Sequence, residues 1–263
     1  MKNYKRIQSK ILSRYEKNGR KLPRRDTQDP YAIHICEVMS QQTQISRVLP
    51  YWEIWIQAIP NYESLAKISK TDLLRYRSGL WFNSRALRLQ ECAKMVVEQY
   101  QGKLPKDKEC LLKLPGIWPY TAGAICSFAW NQEEVVIDTN IRRVLIFLLK
   151  LDEDISMSTL EEIAKKLIPQ GRSRDWHNAL MDYWAMYLTA KKTNIKSVSK
   201  QSKFEGSDRE VRGWIVKQLV KQGSLEIEEV KEEFPRKEIK KIIQEMEKEN
   251  LIICKRGKIC ILE

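Results

Sequence analysis

The chain is predicted to be mostly α-helical, ending in a small module of three helices and a β-hairpin. Three observations predict this. Apolar residues recur at helical spacing from Tyr4 to about residue 190, in segments cut by short polar or proline-bearing connectors. A Pro-Gly turn, Pro115-Gly116, joins two of these segments. A stretch rich in Lys, Ser, Thr and Asn, from Lys191 to Ser207, reads as a linker to the last third of the pattern.

Taken in order, Ile7, Ile11, Leu12 and Tyr15 line one face of a first helix, which stops at Asn18-Gly19, a helix C-terminal signal. Residues 22–30 read as a polar loop. Helical spacing is then predicted over 31–59, 64–80, 85–100, 107–114, 122–130, 137–149, 160–168 and 176–188. Beyond the linker, helices are predicted over 208–222, 225–234 and 235–250, and a hairpin over 251–262 turning at Arg256-Gly257. That order is the order of a winged-helix module. Arg236, Lys237, Lys240 and Lys241 on its third helix would suit a DNA surface, or equally an ordinary solvated face with partners such as Glu245.

Composition narrows the function. A chain of 263 residues with 43% apolar residues can bury two cores and a small further module. The net charge of +13 points to a polyanionic partner, because phosphate neutralisation supplies most non-specific nucleic-acid affinity. The opening residues are polar and no run approaches transmembrane length, so no membrane association is expected. The expected location is cytoplasmic, on the nucleoid of a prokaryote. The six cysteines are scattered without a CxxC pair and are expected to be reduced, mostly buried small apolar groups.

Two blocks carry the chemistry. The first is Leu114-Pro-Gly-Ile-Trp-Pro-Tyr-Thr-Ala-Gly-Ala-Ile125, closed downstream by Ile137-Asp-Thr-Asn-Ile-Arg-Arg-Val144. Its turn aims the backbone N–H groups of the following helix outward, where they can hold a phosphate. Asp138 interrupts an apolar run and places a carboxylate at the mouth of a packed helix. The second block is Asp29-Pro-Tyr-Ala-Ile-His-Ile-Cys-Glu37-Val-Met-Ser-Gln-Gln-Thr-Gln44, in which Asp29-Pro30 reads as an N-cap and first-turn proline. A lone glutamate is ordinarily a solvated residue. The neighbours of Glu37 are apolar on most sides, however, and buried carboxylates are uncommon unless functional or paired.

Together these blocks resemble the helix-hairpin-helix (HhH-GPD) DNA glycosylases, and the second resembles the MutY-type adenine glycosylases. The resemblance implies a two-domain helical glycosylase core. Residues 1–22 and 135–205 would form one domain, residues 23–134 a six-helix barrel with the hairpin, and 206–263 the winged-helix-like module. It implies a monomer acting on double-stranded DNA that carries a mismatched or damaged base. Glu37 would protonate the purine leaving group, and Asp138 would stabilise the sugar cation, directly or through a transient covalent bond. Asn140 would help hold the sugar, and Arg143 would tie down a carboxylate or a phosphate. Tyr120 stands where bifunctional relatives carry a Schiff-base lysine, so a monofunctional enzyme is implied. Gly116, Trp118 and Thr121 occupy hairpin positions that meet DNA in the family. Gln42 and Phe82 match positions that wedge into the duplex, and Phe82 also reads as plain core.

Departures from the pattern matter as much. Arg24 and Ser40 replace residues that line the family's adenine pocket, and Asn178 aligns with its base-facing glutamine. These changes leave a mismatch thymine or uracil glycosylase as an alternative, with a catalytically weak DNA-binding protein as a second. Many relatives hold an iron–sulfur cluster on a Cx6Cx2Cx5C loop. Here the four ligand positions fall on Leu188, Ile195, Val198 and Phe204, so no cofactor is expected and an apolar knot is expected in its place. Trp81, Trp118 and Trp184 each stand where the family has glycine. A codon read as glycine in the source and as tryptophan here would produce that pattern, as would drift; TGG codons at all three sites in the gene would exclude the former. At the hairpin, the indole of Trp118 is expected either to obstruct the phosphate or to swing away onto a neighbouring helix, with backbone strain if the position needs a positive φ.

Overall fold

A computed structural model describes residues 2–76, 83–188, 190–196 and 203–263. Helices α1 (Lys2–Asn18), α2 (Pro30–Ser40), α3 (Ile45–Ala58), α4 (Tyr62–Lys67), α5 (Lys70–Tyr76) and α6 (Asn83–Tyr100) come first. They are followed by α7 (Lys108–Leu112), α8 (Pro119–Trp130), α9 (Thr139–Leu149), α10 (Met157–Leu167), α11 (Ser173–Tyr187) and α12 (Ala190–Thr193). The C-terminal part consists of α13 (Asp208–Gln222), β1 (Ser224–Glu226), α14 (Ile227–Glu233), α15 (Ile239–Lys248), β2 (Ile252–Lys255) and β3 (Lys258–Ile261). No helix among the described residues is long and apolar enough to cross a membrane.

The mostly helical expectation holds; the segment predicted as one helix over 64–80 holds α4 and α5, separated at the extended Ile68, and three further differences have physical reasons. The predicted 31–59 helix is two helices, broken where Gln42 takes a left-handed φ of 61°. The polar loop over 22–30 contains a 3-10 turn, Pro23–Arg25, that buries Arg24. The helix predicted over 225–234 begins late because Ser224–Glu226 pairs antiparallel with β3, giving a three-stranded sheet of order β1-β3-β2.

By its contacts the chain forms two compact units, and their boundaries differ from the domains drawn from the sequence. One unit comprises residues 1–38, 104–113 and 117–200. Its core is built from Ile7, Ile11 and Leu12 of α1, Ile141, Val144 and Leu145 of α9, Leu160 and Leu167 of α10, and Trp176, Leu180 and Tyr183 of α11. Burial of such side chains, at roughly 1.5–3 kcal/mol each, holds the helices together. The other unit comprises residues 39–103, 114–116 and 201–263, so the winged-helix-like module packs with helices of the six-helix segment. In it α13 contacts α5. The side-chain carboxylate of Glu263 accepts from the backbone N–H groups of Lys70 (2.8 Å) and Thr71 (3.0 Å) at the start of α5. A carboxylate is favoured there by the unpaired first-turn N–H groups.

Candidate active site

Asp29 caps α2 as the sequence indicates, its carboxylate accepting from the N–H groups of Tyr31 (3.1 Å) and Ala32 (3.3 Å). Every residue from Tyr31 to Met39 is buried, so the helix has no solvated face on which Glu37 could sit. Glu37 is 4% exposed. Its Oε1 accepts from Arg24 Nη1 at 3.2 Å and its Oε2 from the Tyr120 hydroxyl at 3.3 Å. Burial pushes its pKa above the usual carboxylate range, the Arg24 guanidinium and the Tyr120 hydrogen bond oppose the rise, and the charge of Asp138 adds to it. Burial likewise drives the Tyr120 phenol well above its ordinary value, so it remains a neutral donor.

Asp138 is the N-cap of α9 with an extended backbone (φ −93°, ψ 179°). Its Oδ1 accepts from the N–H groups of Asn140 (2.9 Å) and Ile141 (2.6 Å). Burial pushes its pKa up, while those two N–H groups and the nearby Arg143 pull it down, with a net rise. The segment leading to Asp138 is fixed from behind. Val136 N–H donates to His177 Nε2 (3.3 Å), which requires Nδ1 to carry the proton that bonds the Ser173 carbonyl (2.8 Å). Gly123 of α8 lets the same segment approach closely, since a Cβ there would lie 2.6 Å from the Val135 carbonyl oxygen.

His34 and His177 are both held neutral by burial, their pKa values pushed down to about 4. Unfolding returns each to 6.5, so between these values the unfolded chain binds more protons than the folded one. Stability is therefore expected to be full above about pH 6.5 and to decline as pH falls toward 4, by up to about 3 kcal/mol per histidine. Urea midpoints measured between pH 7 and 4.5 check this, and His177→Gln should flatten the decline. A midpoint independent of pH over that window would show that neither imidazole is held neutral.

A polar network adjoins Glu37. Asp182 is held by the Arg20 backbone N–H (2.8 Å) and by two bonds from Arg25, Nη1 at 2.9 Å and Nη2 at 2.8 Å. Burial raises the Asp182 pKa, but Arg25 and Arg20 more than offset it and hold the carboxylate below its usual range. Asn178 Oδ1 accepts from Arg25 Nε (3.0 Å) and lies 3.4 Å from Arg24 Nη2. The Arg24 guanidinium stacks on Phe128 at 5.2 Å.

Glu37, Tyr120, Asp138, Asn140, Arg24 and Asn178 thus fall in one unit, and Ser40, Gln42 and Gly116 in the other. Gln42 is exposed on a turn whose Gln41 carbonyl accepts from Arg85 (2.9 Å). Gly116 has φ +79°, the left-handed region that favours glycine, and a Cβ there would lie 3.2 Å from Arg88 Cβ. Phe82, Trp81 and Val198 lie outside the described residues. One expectation is corrected. The side chain of Thr121, 1% exposed on the inner face of α8, is unavailable to DNA. Arg143 donates its Nε to the Ile195 carbonyl (3.1 Å), lies 5.3 Å from the Trp184 ring and lowers the pKa of the Asp138 carboxylate, the neighbouring-carboxylate role expected of it. Trp118 is 61% exposed with φ −96° as the N-cap of α8, so the position does not need a positive φ and the indole is directed to solvent. Sequence reasoning missed Arg25, Asp182 and His177. The rarity of histidine, two in the chain, was the available signal for the last.

The residues at the cluster-ligand positions do not fit an iron–sulfur group. Leu188 and Ile195 are buried apolar side chains without donor atoms. Phe204 is 39% exposed and belongs to the other unit. Burial pushes the thiols of Cys92 and Cys126 up to about 12 and 11, away from the thiolate form that binds metal. Among the described residues, no three His, Cys, Asp or Glu side chains are grouped to hold a metal ion.

Comparison with known proteins places this geometry. Residues 35–170 match a family described as HhH-GPD superfamily base excision DNA repair protein. The chain is 34% identical over 224 residues to an adenine DNA glycosylase of Mycolicibacterium smegmatis, covering 77% of this chain and 76% of that enzyme. It is 36% identical over 192 residues to the human adenine DNA glycosylase, covering 68% of this chain but 35% of the human protein. Among solved structures, a thermostable thymine-DNA glycosylase superposes with a TM-score of 0.65 at 30% identity, covering 70% of this chain and 87% of that one.

Proposed function

This chain belongs to the HhH-GPD superfamily of base excision DNA repair proteins, and we propose that it is a monofunctional DNA N-glycosylase that removes adenine mispaired with guanine or 8-oxoguanine. The observation that carries the reading is Glu37: a buried carboxyl in hydrogen-bond contact with Tyr120, in the same unit as a helix-capping aspartate. The electron pair of the N9–C1′ bond leaves with the base while Glu37 delivers its proton to the base. Asp138 faces the positive charge that develops on the sugar. Water then bonds C1′ through its oxygen and gives up a proton, restoring Glu37. Burial raises the Glu37 pKa in the direction an acid needs near neutral pH. The excess of basic residues suits a duplex DNA substrate.

Duplexes containing A:G, A:8-oxoguanine, T:G and U:G, scored for abasic sites with and without alkali, test this. Cleavage confined to the adenine duplexes and dependent on alkali is expected. Cleavage confined to T:G and U:G would replace the reading with a pyrimidine glycosylase, and strand breaks without alkali would exclude monofunctional hydrolysis. The active protein is further expected to be colourless and free of stoichiometric iron, since the side chains Leu188 and Ile195 offer no thiolate. Iron near one cluster per chain in the purified protein would overturn that.

A further inference from the structure

The polar groups beside Glu37 carry information about which base they receive. Asn178, 3% exposed, is oriented without ambiguity, because Arg24 and Arg25 bear only donors and both point at its oxygen. Arg25 is itself clamped by Asp182 and by the Arg20 carbonyl. The amide nitrogen of Asn178 is thereby turned the other way, and it makes no hydrogen bond among the described residues. Arg24 is under-satisfied too. Its Nη1 is used by Glu37 and its Nη2 makes long contacts to Asn178 (3.4 Å) and Met181 Sδ (3.5 Å). Its Nε is buried with no partner. A buried donor without an acceptor is costly, and such groups in native structures commonly answer to a missing ligand.

The polar groups beside the acid therefore include two donors without an acceptor, Asn178 Nδ2 and Arg24 Nε, while the Asn178 amide oxygen is already occupied. Adenine presents an exocyclic amine, itself a donor. Its deaminated counterpart, hypoxanthine, keeps N3 and N7 free for protonation by Glu37 but presents a carbonyl oxygen. We propose that this site excises hypoxanthine from DNA at least as fast as adenine, with Arg24 and Asn178 as the specificity-determining residues. The inference rests on the glycosylase reading above and uses the same bond changes: the N9–C1′ electron pair leaves with the base, the Glu37 proton goes to the base, and water adds to C1′.

Single-turnover excision from duplexes holding hypoxanthine or adenine, each opposite guanine and opposite 8-oxoguanine, tests it. The wild-type rate on hypoxanthine is expected to equal or exceed that on adenine. Arg24→Met keeps the length and the stacking on Phe128 but removes the donors, and is expected to lower the hypoxanthine-to-adenine ratio by about tenfold or more. Because any effect on Glu37 acts on both purines, the ratio isolates base reading. Asn178→Asp, which turns the outward donor into an acceptor, should move the ratio the same way. Faster wild-type excision of adenine than of hypoxanthine would overturn the proposal and leave the glycosylase reading standing, and this holds even if neither variant folds. Abasic sites in none of these duplexes would overturn both.

Discussion

Asp138→Asn is expected to lower single-turnover base excision by at least about 10²–10³-fold while leaving duplex affinity and thermal stability close to wild type. The separation follows from the geometry. Oδ1 of Asp138 caps α9 by accepting from Asn140 and Ile141, and in the proposed reaction the carboxylate charge has a second task, to stabilise the sugar cation. Asparagine is as good an N-cap as aspartate, so the first task survives. The second does not, because an amide carries no net charge to meet an oxocarbenium-like sugar. Excision rates, a gel-shift titration and a melting curve on the same preparation check all three. Retention of more than a tenth of the rate would mean that the charge of Asp138 is not used in the reaction.

Glu37→Gln is expected to cost about 10²–10⁴-fold on a purine target, the usual range for losing a positioned acid. This substitution should also destabilise the protein, by up to about 3–5 kcal/mol, because the Arg24 guanidinium keeps its acceptor but loses the countercharge that compensates its burial. The two effects are separable by a melting curve on the same preparation: excision measured well below the variant's melting temperature, where the chain is folded, reports the loss of the acid alone. Full activity of Glu37→Gln on adenine would show that the leaving group takes its proton elsewhere.

Much of the site was legible because its residues break an apolar pattern. Glu37 stands inside the run Tyr31–Met39, and Asp138 inside Val135–Leu145; a charge in such a place must be capped, paired or put to use. The Pro-Gly turn was legible for a local reason, the positive φ of Gly116. What escaped was non-local. Arg20 and Arg25 meet Asp182 from the far end of the chain, and no spacing rule encodes a contact over that separation. The strand β1 escaped because three residues are too few to display alternation and its partner β3 lies beyond two helices. Thr121 was assigned to DNA from its position in a motif, but motif position does not fix a side chain's direction, and Thr121 faces the core of its unit.

The absence of a side chain at position 123 acts as a ruler. The backbone leading to Asp138 rests on α8 at a separation smaller than a methyl group would permit, and α8 is the helix whose first turn presents Tyr120 to Glu37. The spacing between Glu37 and Asp138, the acid and the charge stabiliser of the proposed reaction, thus runs through a residue that is neither. A methyl group there would lengthen the gauge while leaving every reactive atom in the molecule. Such a position behaves, in any survey of variants scored by turnover, as though it belonged to the chemistry, although its contribution is purely one of distance.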